Sequence, residues 1–318
     1  MTRLRHRVSV LAYLGGWRVV RWLPERLAYA VFALVGDVIW ALRGKGVRQL
    51  EANLARVRPR ASDGELRRLS RDGMRSYLRY WCDTFRLPTW SEDRILAGVR
   101  TTGDECVRSL VAEGRPLVLF LGHMGNWDHA GAWSTIALAR VTTVAERLEP
   151  AEVTDAFLAF RRRLGMEILN LGDPGVFGTL ARRLKKDGFV PLLADRDLTA
   201  RGIEVEFFGE TARMAGGPAM LAEITGAELI PVTIRYERLD PARARVAKSG
   251  WGIVIEFGEP MKRPTNEDRG ERVAVMLQAC ADWLAAGITA APQDWHMLQK
   301  VFVADLDPAR DARLRSEA

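Results

Sequence analysis

The chain has 318 residues, of which 48% are hydrophobic and 27% charged, and a formal net charge of +7. These proportions are those of a globular protein and exclude an intrinsically disordered chain. Its 3 cysteines have no CxxC spacing, which excludes a disulfide framework and a zinc ribbon. The basic excess, mostly arginine, favours an anionic partner such as a lipid surface, a nucleotide cofactor or nucleic acid.

Residues 1–60 are predicted to form amphipathic helices that associate with a membrane. Apolar residues interrupted by arginines over 8–14 and 17–23 indicate a first helix, which Pro24 ends. Residues 27–42 are predicted to form a second helix. Tryptophans beside arginines suit a helix pair in the lipid interface, although a hairpin packed on the protein's own core has the same pattern. Because the second helix is shorter than the roughly 20 residues that span a bilayer and contains Asp37, we expect a peripheral or monotopic protein.

From residue 64 onward, the sequence predicts helices and then alternating strands and helices. Predicted strands cover 116–121, 141–145, 189–194, 204–208, 229–236 and 252–257, and predicted helices cover 64–90, 174–186, 217–226 and 269–286. Strands separated by helices of this length predict an α/β fold with a mixed central sheet flanked by helices. We assign residues 61–304 to this domain and 305–318 to a charged tail.

The segment His-Met-Gly-Asn-Trp-Asp at 123–128 is the main candidate for chemistry. His123 follows a predicted buried strand, whose carboxyl end faces the crevice where α/β proteins bind ligands. Gly125 and Asn126 favour a tight turn and a helix cap, which is expected to fold Asp128 back under His123. A carboxylate on one imidazole nitrogen lets the other deprotonate a hydroxyl, so we predict that His123 is a general base oriented by Asp128. The alternative is a histidine whose hydrogen bonds are satisfied at a strand end.

Several segments together resemble a known family. Residues 121–128 resemble the HxGNWE-type box of the bacterial lipid A late acyltransferases, a lauroyl/myristoyl branch of the HxxxxD acyltransferases, with Asp128 in place of Glu. Further matches follow in order at 194–198, 205–210, 215–222 and 226–232. The amino-acid sequence at 144–148, 163–167, 194–198 and 294–299 is most similar to that of the phosphatidylinositol mannoside acyltransferases.

The resemblance implies a glycerolipid acyltransferase-like fold and an enzyme at the cytoplasmic face of the cell membrane. Its implied reaction moves a long acyl chain, typically palmitoyl, from acyl-CoA as co-substrate to a mannose hydroxyl of phosphatidylinositol mannosides. We expect no permanently bound cofactor and no metal site. No serine or cysteine lies in an elbow motif, which favours direct attack by the substrate hydroxyl over a covalent acyl-enzyme.

Further polar residues are candidates for binding the substrates that the resemblance implies. Glu146 and Arg147 follow a strand, and we expect Glu146 to bind sugar hydroxyls or extend the charge relay and Arg147 to hold phosphate. The alternative for both is a surface ion pair. Arg161 is predicted to bind a phosphate of CoA or of the inositol lipid, because arginine grips phosphate bidentately, the alternative being a solvated helix face.

The run Asp195-Arg196-Asp197 also lies just past a strand. Its carboxylates are candidates for binding mannose hydroxyls or assisting His123, and Arg196 for neutralising a phosphate or the thioester oxyanion. The alternative is a turn rich in capping residues. We interpret Trp295 and His296 as packing or surface residues.

Two other functions stay open. One is a lipid A-type or other glycolipid acyltransferase that uses acyl carrier protein as its donor. The other is a non-catalytic membrane lipid-binding protein, which has no need of a base at a strand end. Nucleic-acid binding is not expected, because the arginines are dispersed and no stacking platform or helix-turn-helix pattern accompanies them.

Overall fold

The computed structural model describes residues 15, 17, 19–146, 151–197, 199, 201–265 and 268–307, and only the backbone of residues 151, 153, 154 and 187. The predicted helical stretch at 8–14, Arg147 and the tail beyond residue 307 lie outside this description. The helices are α1 (Glu25–Ala41), α2 (Lys45–Val57), α3 (Asp63–Arg86), α4 (Glu92–Ala97), α5 (Glu105–Ala112), α6 (Trp127–Ala137), α7 (Ala151–Arg163), α8 (Val176–Asp187), α9 (Gly217–Thr225), α10 (Pro241–Ala247) and α11 (Arg269–Ala290). The strands are β1 (Val99–Thr102), β2 (Leu117–Leu121), β3 (Thr142–Ala145), β4 (Glu167–Asn170), β5 (Phe189–Leu193), β6 (Ile203–Phe207), β7 (Glu210–Met214), β8 (Glu228–Arg238) and β9 (Trp251–Phe257).

The central sheet has five strands in the order β1-β9-β8-β2-β5. Strands β8, β2 and β5 are parallel, whereas β9 runs antiparallel to β8 and parallel to β1. This confirms the predicted mixed α/β fold. Strand β2 lies inside the sheet with all of its residues buried, which explains its continuous apolar sequence. The pairs β3–β4 and β6–β7 form separate two-stranded sheets.

Helix α1 begins directly after Pro24, two residues before the predicted start at residue 27, and lies on α3. Its small residues Ala28 and Gly36 are buried at the contact, where a Cβ on Gly36 would lie 3.2 Å from the carbonyl oxygen of Met74. Asp37, inside the apolar run, is bonded to Arg71 and Arg75 at 2.6 and 2.7 Å, and these hydrogen bonds lower its pKa.

The opposite side of α1 carries an apolar surface, called here the α1 stripe. Its members recur at helical spacing and are between 38% and 76% exposed: Leu27, Val31, Leu34, Val35, Val38, Ile39 and Leu42. Trp22, just before the helix, is 88% exposed. Lone exposed apolar residues are ordinary, but a contiguous row of this kind marks an interaction surface.

Helix α11 is the one described helix that is long and apolar enough to cross a membrane by itself, and α1 with α2 meets the same criterion as a pair bent by 86°. One side of α11 packs on the core through Val273, Met276, Leu277, Cys280, Ala281, Leu284 and Ile288. This packing is that of a core helix.

Candidate active site

Strand register brings His123 and Asp195 together. His123 lies two residues after β2 and Asp195 two residues after β5, and the last residues of these neighbouring parallel strands, Leu121 and Leu193, are paired. Because the carboxyl ends of parallel strands meet at one edge of a sheet, both side chains reach the same crevice. The order of the strands thus places Asp195, one of the candidates for assisting His123, beside it.

The imidazole of His123 is held on one side by the Asp195 carboxylate. Nδ1 of His123 lies 2.6 Å from Oδ1 of Asp195, and the backbone N–H of His123 donates to Oδ2 across 2.9 Å. Asp195 is fully buried, whereas the His123 side chain is 31% exposed. With Nδ1 engaged by the carboxylate, Nε2 is the nitrogen that remains to receive a proton.

A third donor completes the surroundings of Asp195. Nε1 of Trp295 donates to Oδ2 of Asp195 across 3.0 Å, and the Trp295 side chain is fully buried. Burial raises the pKa of the Asp195 carboxyl, but the charge of His123 and the hydrogen bonds from His123 and Trp295 outweigh burial and lower it. The carboxylate is therefore ionised and oriented toward His123.

The turn that carries His123 is pinned by a distant segment. The backbone N–H of His296 donates to the carbonyl of His123 at 2.8 Å, and that of Gly125 donates to the carbonyl of Asp294 at 2.9 Å. Gly125 has a φ of +55°, and a Cβ there would lie 2.7 Å from the carbonyl oxygen of Ile234. This position therefore requires glycine.

Asp128 does not orient His123, which corrects the prediction. The Asn126 side chain caps α6 by accepting the backbone N–H of His129 at 2.9 Å, and this start directs Asp128, 2% exposed, into the protein. Its carboxylate accepts from the hydroxyl of Tyr80 at 2.9 Å and from Nε of Arg161 at 2.6 Å.

Arg161 is accordingly an ion-pair partner in this structure, not the free phosphate ligand that the sequence predicted. Its second contact, from a terminal guanidinium nitrogen to Oδ2 of Asp128, is 3.3 Å long. Burial lowers the pKa of the guanidinium, but Asp128 and Tyr80 outweigh burial and raise it. Arg161 is therefore a permanent positive charge behind the turn, and it holds α7 against α6.

The other predicted binding residues lie around the Asp195 loop. Glu146 is 63% exposed at its side chain and accepts a hydrogen bond from Arg196 across 3.2 Å. Asp197 accepts the backbone N–H of Thr199 at 2.8 Å, the contact expected of a turn-capping carboxylate. Thus Arg196, the residue after Asp195, joins Glu146 to this loop, and Asp197 shapes the loop.

A buried polar cluster behind the turn was not predicted. The Asp83 carboxylate accepts from the hydroxyls of Tyr29 at 2.5 Å and Tyr236 at 3.1 Å, and from the amide of Asn126 at 3.4 Å. Burial raises the pKa of Asp83 to about 6. This cluster connects α1, through Tyr29, to the cap residue of α6.

Ser76, Asp294 and His296 form a second cluster whose residue types are those of a hydrolase triad. However, Ser76 is 1% exposed, and its hydroxyl bonds both Oδ1 of Asp294 at 2.6 Å and Nε2 of His296 at 3.0 Å. Burial lowers the pKa of His296 to about 3. The cluster is a packing feature, in agreement with our interpretation of His296.

An apolar cavity opens beside the turn that carries His123, with a volume of about 650 Å³ including its mouth. Trp127 lines it and also meets the His123 ring in a T-shaped contact at 5.5 Å. Apolar side chains from the sheet and from α6 supply most of its wall, among them Leu119, Leu121, Ala130, Val232, Ile234 and Phe257. Within the described residues, no cluster of three or more His, Cys, Asp or Glu side chains could hold a metal ion.

Comparison with known proteins adds independent evidence. The model of the family described as bacterial lipid A biosynthesis acyltransferase matches residues 1–303. The chain is 39% identical over 310 residues to the phosphatidylinositol mannoside acyltransferase of Mycolicibacterium smegmatis, an alignment covering 97% of this chain and 96% of that protein. It is 40% identical over 317 residues to the phosphatidylinositol mannoside acyltransferase of Mycobacterium tuberculosis strain H37Rv, covering 96% and 92%.

Proposed function

Because the chain belongs to the bacterial lipid A biosynthesis acyltransferase family and is an acyltransferase, we propose that it moves a long acyl chain from acyl-CoA to a mannose hydroxyl of phosphatidylinositol mannosides. The names of the two relatives support this acceptor. The observation that carries the mechanism is the His123–Asp195 contact of 2.6 Å beside an apolar cavity.

The proposed reaction is direct transfer with His123 as general base. Nε2 of His123 takes the proton of the mannose hydroxyl while the oxygen attacks the thioester carbonyl. Asp195 accepts the Nδ1–H and stabilises the imidazolium as it forms. When the tetrahedral intermediate collapses, the carbon–sulfur bond breaks and the imidazolium returns the proton to the departing CoA thiolate. The products are the acylated lipid and free CoA.

The cavity is the proposed site of the acyl chain. Its walls are mostly apolar, and it opens beside Trp127, which contacts the His123 ring. Trp127 separates the cavity from His123, so a chain in the cavity would bring its thioester past this ring to the imidazole. Burial of the methylene groups would contribute about 0.8 kcal/mol each.

Phosphate recognition is assigned to the loop after β5. Arg196 is 14% exposed at its side chain and contacts Glu146, whose carboxylate is mostly in solvent. A phosphate of CoA or of the inositol lipid can replace this exposed partner without leaving a buried charge unpaired. Arg147, the residue after Glu146, stays a predicted phosphate ligand.

The α1 stripe is the proposed contact with the membrane that supplies the acceptor. Seven apolar side chains on one side of a helix, with Trp22 beside them, are the composition of an interfacial helix. The basic net charge of +7 favours an anionic surface. We propose a peripheral protein at the cytoplasmic face of the cell membrane, where acyl-CoA is available.

The catalytic proposal is tested with purified protein, radiolabelled palmitoyl-CoA and phosphatidylinositol mannosides in mixed micelles. Replacing His123 by Ala is expected to lower the transfer rate roughly 10²–10⁴-fold. Asp282→Ala, which removes an exposed carboxylate of α11, is the control and keeps the wild-type rate. A His123→Ala protein with the wild-type rate would refute the general base.

The same assay separates the alternatives by donor. Turnover with palmitoyl-CoA but not with palmitoyl-acyl carrier protein supports the proposed donor. Turnover with acyl carrier protein alone makes the chain a lipid A-type or other glycolipid acyltransferase. Binding of lipid vesicles without consumption of either thioester makes it a lipid-binding protein.

The membrane proposal is tested by flotation with vesicles containing anionic lipid. The double variant Leu34→Asp, Val38→Asp places two charges in the α1 stripe and is expected to lose most of its vesicle binding. The matched control is Ile224→Asp, Val275→Asp, because these side chains, on α9 and α11, are 43% and 47% exposed but lie outside the stripe. Equal binding by the two double variants would contradict the assignment.

A further inference from the structure

The two oxygens of the Asp195 carboxylate have separate partners. Oδ1 faces Nδ1 of His123 at 2.6 Å. Oδ2 accepts two N–H groups, the backbone N–H of His123 at 2.9 Å and the indole N–H of Trp295 at 3.0 Å. One oxygen is thus anchored and the other is presented to the imidazole.

The indole is held firmly enough to act as an anchor. Its ring is fully buried and meets Phe207 edge-on at 5.9 Å and Phe208 at 6.2 Å. The backbone of Trp295 also forms an isolated antiparallel bridge with Met124, within the turn that carries His123. The donor, the carboxylate and the imidazole therefore belong to one rigid unit.

We propose that Trp295 is a positioning residue of the acyl transfer, which fixes the Asp195 carboxylate in the orientation that holds His123. This inference rests on the proposed function, in which His123 is the base and Asp195 its partner. The terminal torsion of an aspartate is soft and roughly two-fold, so packing alone does not select one carboxylate orientation. A second donor on Oδ2 selects it, because rotation would break two hydrogen bonds of a fully buried carboxylate.

The indole N–H also affects the charge balance of the His123–Asp195 pair. It is one of the hydrogen bonds that offset the burial of Asp195. Removing it makes the buried carboxylate easier to protonate. Because the proposed mechanism needs the ionised Asp195 carboxylate, the acid limb of the rate profile moves to higher pH.

The test is Trp295→Phe, which keeps an aromatic ring and removes the donor. We expect kcat to fall roughly tenfold to hundredfold, the effect of losing one hydrogen bond to a charged group. KM for palmitoyl-CoA and for the acceptor stays within about twofold, because Trp295 touches neither substrate, and the acid limb of kcat moves to higher pH. The matched control is Trp40→Phe, which removes an indole hydrogen bond to Ser70 of 2.9 Å away from the site.

A second variant covers the case in which Trp295→Phe does not fold. Benzothienylalanine, inserted at position 295 by stop-codon suppression, has nearly the shape of tryptophan but carries sulfur in place of the N–H. The same fall in kcat and the same shift of the acid limb are expected. A wild-type kcat with an unshifted limb in either folded protein would overturn the proposal.

A double-mutant cycle separates failure of this inference from failure of the proposed function. In an Asp195→Asn background, Trp295→Phe should cost little further activity, because the two residues act as one unit. If Asp195→Asn itself has the wild-type rate, the proposed catalytic pair fails. If Asp195→Asn is impaired and Trp295→Phe costs the same factor in both backgrounds, only the role of Trp295 fails.

Discussion

Two buried carboxylates, Asp195 and Asp128, lie near the turn that carries His123 and have different partners. Asp195 is fully buried and faces an imidazole and two neutral N–H donors. Asp128 is 2% exposed and faces a guanidinium and a phenol. The two carboxylates are buried to nearly the same extent, so their hydrogen-bonding and charged partners distinguish them.

The partner of each carboxylate determines whether the pair can exchange a proton during a reaction. A guanidinium keeps its proton at every pH of interest, so the Asp128–Arg161 pair has a constant net charge and stabilises the packing of α6 on α7. An imidazole can take up and return a proton, which is what the proposed role of the Asp195–His123 pair requires. The Asp128–Arg161 pair keeps its charge and also lines the apolar cavity, whereas the Asp195–His123 pair is suited to proton transfer.

The largest expected effect is on activity and follows from Asp195→Asn. Loss of the carboxylate removes both the stabilisation and the tautomer control of His123, and a roughly 10³–10⁴-fold fall in kcat is expected, as in other His–Asp pairs. The Tm should change by only a few degrees, because the amide fills the same space. The measurement is steady-state kinetics with thermal unfolding of the same samples. If Asp128→Asn reproduces both results, the two carboxylates have the same role.

The next effect is on stability and concerns the Asp128–Arg161 pair. Asp128→Asn leaves Arg161 buried without its counter-charge, and a loss of about 3–5 kcal/mol in the free energy of unfolding is expected. Adding Arg161→Met should recover most of this loss, because the uncompensated charge is then removed as well. Urea unfolding of the two single variants and the double variant measures the coupling. Additive losses would show that the pair does not stabilise the fold as a unit.

Asp83 extends the comparison to a buried carboxyl that accepts from two hydroxyls. Burial raises its pKa to about 6 from 3.8, against the effects of Tyr29, Arg79 and Tyr236. Between pH 4 and 6 the folded state therefore binds a proton that the unfolded state does not, so the stability contributed by Asp83 falls as pH rises through this window. Asp83→Asn removes this titration and should be more stable than wild type at pH 7.

The stability advantage of Asp83→Asn over wild type should shrink by about 2–3 kcal/mol as the pH falls from 7 to 4. Parallel urea unfolding of wild type and Asp83→Asn across this range measures it, and other titrating groups cancel in the difference. An advantage that is constant with pH would contradict the raised pKa of Asp83.

The smallest expected effect comes from Tyr80→Phe. This change removes one donor from the Asp128 carboxylate and leaves the guanidinium of Arg161 in place, so the free energy of unfolding should fall by about 1.5 kcal/mol. The pH dependence of kcat should keep its wild-type shape, because Asp195 is untouched. A shifted acid limb would connect Tyr80 to the catalytic pair and weaken the distinction between the two carboxylates.

Much of the fold could be predicted from sequence because its signals are local. Where Pro24, the apolar run of β2 or a helix pattern marks an element, the predicted bounds agree with the structure to within a few residues. The ordered motifs identify the correct family. The short strands β1, β4 and β7 were missed, since four or five residues of mixed polarity carry little periodic signal.

The partner of His123 could not be chosen from sequence, because the choice depends on strand order. Asp128 is close to His123 along the chain, and a tight turn between them predicts a contact. Asn126 instead starts α6 so that Asp128 points inward. The pairing of β2 with β5 brings Asp195 to His123 although the two are 72 residues apart in the chain. Trp295, which contacts Asp195, lies a further 100 residues along the chain. These are tertiary contacts, so no periodic pattern in the amino-acid sequence indicates them.

The backbone bonds between the 294–296 segment and the turn that carries His123 also bear on biosynthesis. The ribosome delivers His123 first, Asp195 72 residues later and Trp295 a further 100 residues later, at roughly 5–20 residues per second. A growing chain thus holds the imidazole and the carboxylate for several seconds before the indole donor emerges from the exit tunnel. The orientation of the Asp195 carboxylate is therefore fixed only after translation has passed residue 295.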